Sequence, residues 1–220
     1  MNNISKEPYV CKINEQSILY IKNLLKQFLP YLSNYVNSTQ LTLCTLLWSV
    51  LIVVSGYLSR KNKLWLFLSI FALLGHFITD LLDGEMSIYL NDGLERWNFF
   101  MDHLLDFVLA IAVFIGLLLL FYKRYTQILL PLFFIFCLIL INMAASFLLV
   151  AEKGLDLGIQ INECLTFNIF HLHFILIVFY LTIILLKGKV QTSIIWLLTL
   201  FLGVITIFNI YKKQQELRRL

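Results

Sequence analysis

The chain reads as an all-α, polytopic membrane protein: six transmembrane helices behind an N-terminal interfacial amphipathic helix. Three observations support this. Hydrophobic residues fill 60% of the 220 positions and charged residues only 14%, with a mean hydropathy of +0.84, which excludes an ordinary soluble domain. Six charge-poor runs, at about 41–59, 64–83, 98–121, 126–150, 163–186 and 193–211, are near the ~20 residues that cross a roughly 30 Å hydrocarbon core. None alternates polar with apolar positions, so barrel strands are excluded, and a helix satisfies its own backbone hydrogen bonds in lipid.

Residues 1–40 form a juxtamembrane segment too polar for a signal peptide. Within it Ile18, Ile21, Leu24, Leu25, Phe28 and Leu32 fall at helical spacing, with Lys22 and Lys26 on another face. That pattern suits an amphipathic helix lying in the membrane interface, and equally a short helix packed on the loops. Pro30 ends or kinks it. Residues 41–211 hold the six spans as one domain, and 212–220 form a basic C-terminal tail. Cys11, Cys44, Cys137 and Cys164 have no paired spacing, which argues against a disulfide framework or a zinc motif. The basic loops and ends read as contacts with membrane lipids, not nucleic acid.

Six spans place the N-terminus, the 84–97 and 151–162 loops and the C-terminus on one side, which carries all 13 acidic residues. The opposite loops hold seven cations and no acid, so counting short loops makes them cytoplasmic. Counting the termini gives the acidic side 10 of 17 cations and reverses the assignment. The expectation adopted is an integral, multi-pass protein with its acidic face in the cytoplasm.

That acidic face has a centre. Between Asp80 and Asp106 stand seven acidic residues and a single cation, Arg96. Asp80 and Asp83 are three apart at the end of the second span, on one helix face; Asp102 and Asp106 are four apart at the start of the third. A short loop makes these spans antiparallel neighbours, so the pairs can face each other at similar depth. Either protons or a cation must then neutralise part of their charge. Oxygen-only ligands favour hard ions such as Mg²⁺, Mn²⁺ or Ca²⁺, and four carboxylates are enough to bridge two of them. Asp residues at span ends that merely face water are the plain alternative.

D80-L-L-D83-G84 and D102-H-L-L-D106 resemble the two halves of the motif D-x2-D-G-x2-A-R-x8-G-x3-D-x3-D of the CDP-alcohol phosphotransferases, also called phosphatidyltransferases. Thr42, at the start of the first span, and the amphipathic segment before it also look like that family. The chain departs from the motif between the halves. Ser87 and Ile88 stand where Ala-Arg is expected, Asn98 stands near the middle Gly, and the loop is about one residue longer.

The resemblance implies a membrane enzyme of phospholipid biosynthesis. It would move a substituted phosphate from CDP-diacylglycerol or another CDP-alcohol to an acceptor alcohol, releasing CMP. It implies two divalent ions, Mg²⁺ or Mn²⁺, on Asp80, Asp83, Asp102 and Asp106, with Asp106 also the general base. Gly84 would end the helix and let backbone approach the cofactor-like CDP group. Arg96 would stand in for the missing Arg, and unchanged metal-dependent CDP-alcohol binding in Arg96→Ala would refute that. His103, beside Asp102, would contact phosphate or act as an alternative base. Relatives are often homodimers. His76 reads as an interhelical histidine, and His171 or His173 as bonding Asn142 or Asn168. A catalytically inactive relative serving as a lipid-binding or scaffolding protein stays open. A transporter fits less well, because the carboxylates lie at span ends and not at mid-membrane.

Overall fold

The computed structural model of the chain describes residues 20–91, 95–122, 126–153, 159–162, 165–167 and 169–218. Helix dominates them, as the apolar runs predict. A helix α1 over 20–26 turns into α2 (Leu29–Leu32), where Pro30 sits in the first turn and its missing N–H leaves no bond unmade. The break attributed to Pro30 therefore falls just before it.

α3 (Ser38–Leu58) starts from a capping box. Asn37 Oδ1 accepts from the Gln40 N–H at 2.8 Å, and Gln40 Oε1 accepts from the Asn37 N–H at 3.0 Å. Its buried face includes Ser38, Thr42, Thr45, Ser49, Ile52 and Gly56, mostly small side chains at three- and four-residue intervals. In lipid, where apolar burial between helices drives little, small residues let backbones approach and gain van der Waals contact. Accordingly α3 packs along both α4 (Leu66–Leu90) and α5 (Glu95–Phe121), while α4 and α5 scarcely touch along their length. The expected direct pairing of these two helices is thus corrected: α3 mediates it, and they approach each other through acidic side chains. Where α3 crosses α5 the backbones are in contact; a Cβ on Gly56 would lie 2.5 Å from the Gly116 carbonyl oxygen.

The expected helix end at Gly84 is also corrected. α4 runs through Gly84 to Leu90 and stops at Asn91, whose left-handed φ of 48° is one that Asn tolerates. The extra turns persist because the N-terminal segment covers them. Leu82 and Met86 are buried with Leu29 and Leu41, and Leu25, Leu32 and Val36 close over that cluster. Lys22 and Lys26 clamp the two oxygens of Glu85 at 3.3 and 3.1 Å. Replacing Glu85 by Gln leaves two cations without their counter-charge. Trypsin should then cut after Lys22 and Lys26 several-fold faster in detergent, and an unchanged rate would show that apolar contacts alone hold α1.

Beyond α5 the chain forms α6 (Thr126–Lys153), an antiparallel pair of strands, β1 (Ile159–Asn162) and β2 (Leu165–Phe167), then α7 (Ile169–Leu185) and α8 (Gly188–Leu217). The two short strands are a small addition to a helical fold, and β2 takes Leu165–Phe167 from the run expected at 163–186. The β-branched Ile159, Ile161 and Thr166 suit strands. α8 begins at Gly188, whose φ of +64° turns the chain directly after α7. The main core lies toward the end opposite the acidic residues and includes Ile52, Leu73, Leu117, Phe121, Phe179 and Ile195. Phe121 meets Phe179 edge to face with centroids 5.9 Å apart.

Among the described residues, five helices are long and apolar enough to cross a membrane: α3, α4 with the turn before it, α5, α6 and α8. α7 is apolar but has 17 residues, about 25 Å at 1.5 Å per residue. These properties fit an integral membrane protein.

Candidate metal centre

α4 contributes Asp80 and Asp83 one turn apart, and α5 contributes Asp102 and Asp106 one turn apart. The fold brings these into two overlapping groups. Ligand atoms of Asp80, Asp83 and Asp102 lie within 4.8 Å of one another, and so do those of His76, Asp80 and Asp106. Asp80 belongs to both groups and links them. Asp83 is buried and Asp106 nearly so, while the Asp102 side chain keeps about a third of its surface open, at 36%. Like charges this close and this withdrawn from water repel strongly, so the donor set fits divalent cations. Spacing and oxygen chemistry both suit them.

Surrounding groups fix the carboxylates. Thr42 on α3 donates to Asp83 Oδ2 at 2.8 Å, which ties the first span to the centre. Trp48, also on α3, donates its indole N–H to Thr79 Oγ1 at 3.1 Å, just before Asp80. His103 Nδ1 lies 3.8 Å from Asp102 Oδ2 on the outer side of the cluster. His76 faces inward: its Nε2 is 3.7 Å from Asp106 Oδ1, and its Nδ1 is 2.9 Å from His173 Nε2 on α7.

The remaining expected site residues fare differently. Gly84 lies beside Asp83 on an open helix face, since an added Cβ would meet no atom within 4 Å. Gly84→Ala should therefore leave thermal stability within about 0.5 kcal/mol of wild type or raise it slightly, as Ala favours helix. A large loss of ligand affinity in that stable variant would show that the ligand occupies the open face. Arg96 stands in the first turn of α5, and its side chain lies outside the described residues, as does that of His171. Ile88, where the resembled motif has Arg, is 76% exposed.

Three partners were not legible as such. Glu85 with its two lysines reads in the sequence as one more acid in an acidic run. His171 or His173 was expected to bond Asn142 or Asn168, and His173 is found bonded to His76. The sequence run at 163–186 places His173 well inside a span, whereas in the structure it lies one turn into α7 and reaches His76. The third is an apolar cleft between α5, α6 and their neighbours, lined by Val113, Leu132, Phe136 and Met143. Asp106 and His173 are its polar end.

A comparison of the chain with known family models, curated proteins and solved structures returns no match.

Proposed function

We propose that the chain is a metal-dependent CDP-alcohol phosphotransferase of membrane lipid synthesis. The observation that carries this reading is the junction of two carboxylate groups, joined through Asp80, with an apolar cleft that ends at Asp106. Chemistry on a lipid phosphate needs both at one place: charge to meet the phosphates and hydrocarbon to hold the tails. In this reading α7 is the sixth span, the N-terminal segment lies in the interface against α4, and the acidic face meets the cytoplasm.

Asp80, Asp83, Asp102 and Asp106 would hold two ions, Mg²⁺ or Mn²⁺, which neutralise a bound diphosphate and its leaving CMP. The other parts belong to the chain. Thr42 orients Asp83, so that carboxylate is aimed before substrate arrives. The cleft keeps alkyl chains out of water while the headgroup stays at the wet end. Asp106 takes the proton of the acceptor hydroxyl as its oxygen forms a bond to the β-phosphorus. The phosphorus–oxygen bond to CMP breaks, and CMP departs with the electron pair. His103 contacts phosphate from the outer side, Gly84 leaves space for the nucleotide, and Arg96 supplies the cation that Ile88 does not.

The test is CMP release from CDP-diacylglycerol and small CDP-alcohols, with Mg²⁺ or Mn²⁺, across a panel of acceptor alcohols. Release that falls at least 10²-fold in Asp106→Asn, in line with loss of a general base, supports the reading. No release with any donor and acceptor would favour the second reading, an inactive relative that binds lipid. The exposed Ile88 at the motif's Arg position is the observation on that side.

A further inference from the structure

The two ligand groups differ in kind. Asp80, Asp83 and Asp102 offer oxygen alone, whereas the other group offers two carboxylates and the imidazole of His76. Three features of His76 point to a metal. It is 2% exposed, so its polar ring lies where a wasted donor or acceptor is costly. Its Nε2 stands 3.7 Å from Asp106 Oδ1, too far for a hydrogen bond, and among the described residues Nε2 makes no other polar contact. Two ligands each about 2.1 Å from one ion are roughly 3–4 Å apart, so the same distance suits a shared ion.

The third feature lies on the far side of the ring. His76 Nδ1 and His173 Nε2 are 2.9 Å apart, the ring centroids are 5.0 Å apart and the planes differ by 10°. Those values describe two imidazoles lying edge to edge along an N–H···N bond, not face-stacked rings. With Nδ1 donating to His173, the Nε2 lone pair of His76 points at Asp80 and Asp106. Ligating histidines are usually held this way, with the second ring nitrogen bonded to an outer partner that fixes the tautomer.

We propose that His76 is a metal ligand, making the centre asymmetric: a hard, all-carboxylate position and a His76–Asp80–Asp106 position that prefers a first-row transition ion over Mg²⁺. Imidazole nitrogen raises affinity for Mn²⁺, Fe²⁺ or Zn²⁺ more than for Mg²⁺. His173 is the positioning residue that presents His76. This deepens the two-metal reading above and rests on it, but it concerns a ligand and an ion, so it is testable without turnover.

The experiment uses the full chain in detergent, stripped of metal, loaded with Mn²⁺ and examined by pulsed electron paramagnetic resonance. The expected result is a directly bound nitrogen coupling on part of the Mn²⁺ that survives excess Mg²⁺ and disappears in His76→Gln. In His173→Gln the coupling should persist while Mn²⁺ affinity falls about 10–100-fold, the usual effect of removing an outer partner. Bound Mn²⁺ without nitrogen coupling in the wild type would overturn the proposal and leave the carboxylate centre standing. So would coupling that survives in His76→Gln and vanishes in His103→Gln. Failure of the wild type to bind Mn²⁺ at all would overturn both. The wild-type spectrum decides even if a variant does not fold.

Discussion

Asp80→Asn is expected to remove metal binding from the whole acidic centre and to lower CMP release by about 10³-fold or more. Asp80 alone belongs to both ligand groups, so its loss takes a donor from each. A single preorganised electrostatic partner is commonly worth about 10²–10³-fold in rate, and a shared ligand should exceed that. Stability should move the other way. Without metal, the Asp80 carboxyl is crowded by Asp83, Asp102 and Asp106, and a neutral amide avoids both the repulsion and the proton uptake that would relieve it. In EDTA the variant should therefore melt above the wild type, and adding Mn²⁺ should reverse the order. Equal metal-induced stabilisation of the two proteins would show that the carboxylates do not act as one centre.

The second large effect lies far from the chemistry. Gly56→Ala places a methyl carbon 2.5 Å from the Gly116 carbonyl oxygen and 2.6 Å from its Cα, where ordinary contact begins near 3.4 Å. Neither atom is the end of a flexible side chain, so α3 and α5 must part by nearly an ångström along a seam built for contact. Overpacking of this kind costs about 1–3 kcal/mol. Gly116→Ala is the control, because its Cβ would meet the Ile52 carbonyl oxygen at 3.1 Å and a small shift suffices. Unfolding in detergent should rank wild type, Gly116→Ala, Gly56→Ala in falling stability. Since α3 also carries Thr42, the Gly56 variant should bind metal more weakly as well. Equal stabilities for the two variants would mean that the helices do not cross at this point.

Composition made the helical membrane fold legible, because long charge-poor runs permit little else in lipid. The carboxylate pairs were legible for a similar reason: helical spacing alone puts Asp80 with Asp83 and Asp102 with Asp106. What spacing could not give was how the helices arrange around one another. A short loop suggested that α4 and α5 pair directly, yet the small-residue face of α3 outcompetes that pairing. Ser, Thr and Gly within an apolar run look indifferent when hydropathy is the guide. Helix ends were misread where the helix outlasts the hydrocarbon: Gly84 looked like a terminator, and the partners that extend α4, Leu29 and Lys22 among them, lie more than forty positions earlier. The α7 contribution was the hardest to see, since His173 carries no local pattern and reaches the centre through contact with His76.

His173 also separates the centre in time. The four carboxylates, Thr42 and His76 all belong to the first three long helices, which precede α7 in the chain. At about 5–20 residues per second, α7 follows only after several seconds. A nascent chain thus has every carboxylate of the centre before it has the residue that orients His76. A chain ending at residue 122 should accordingly acquire loosely held Mn²⁺, and co-expressing the missing half should tighten it. Insertion of the last two helices would then be the step that commits the ion to its place.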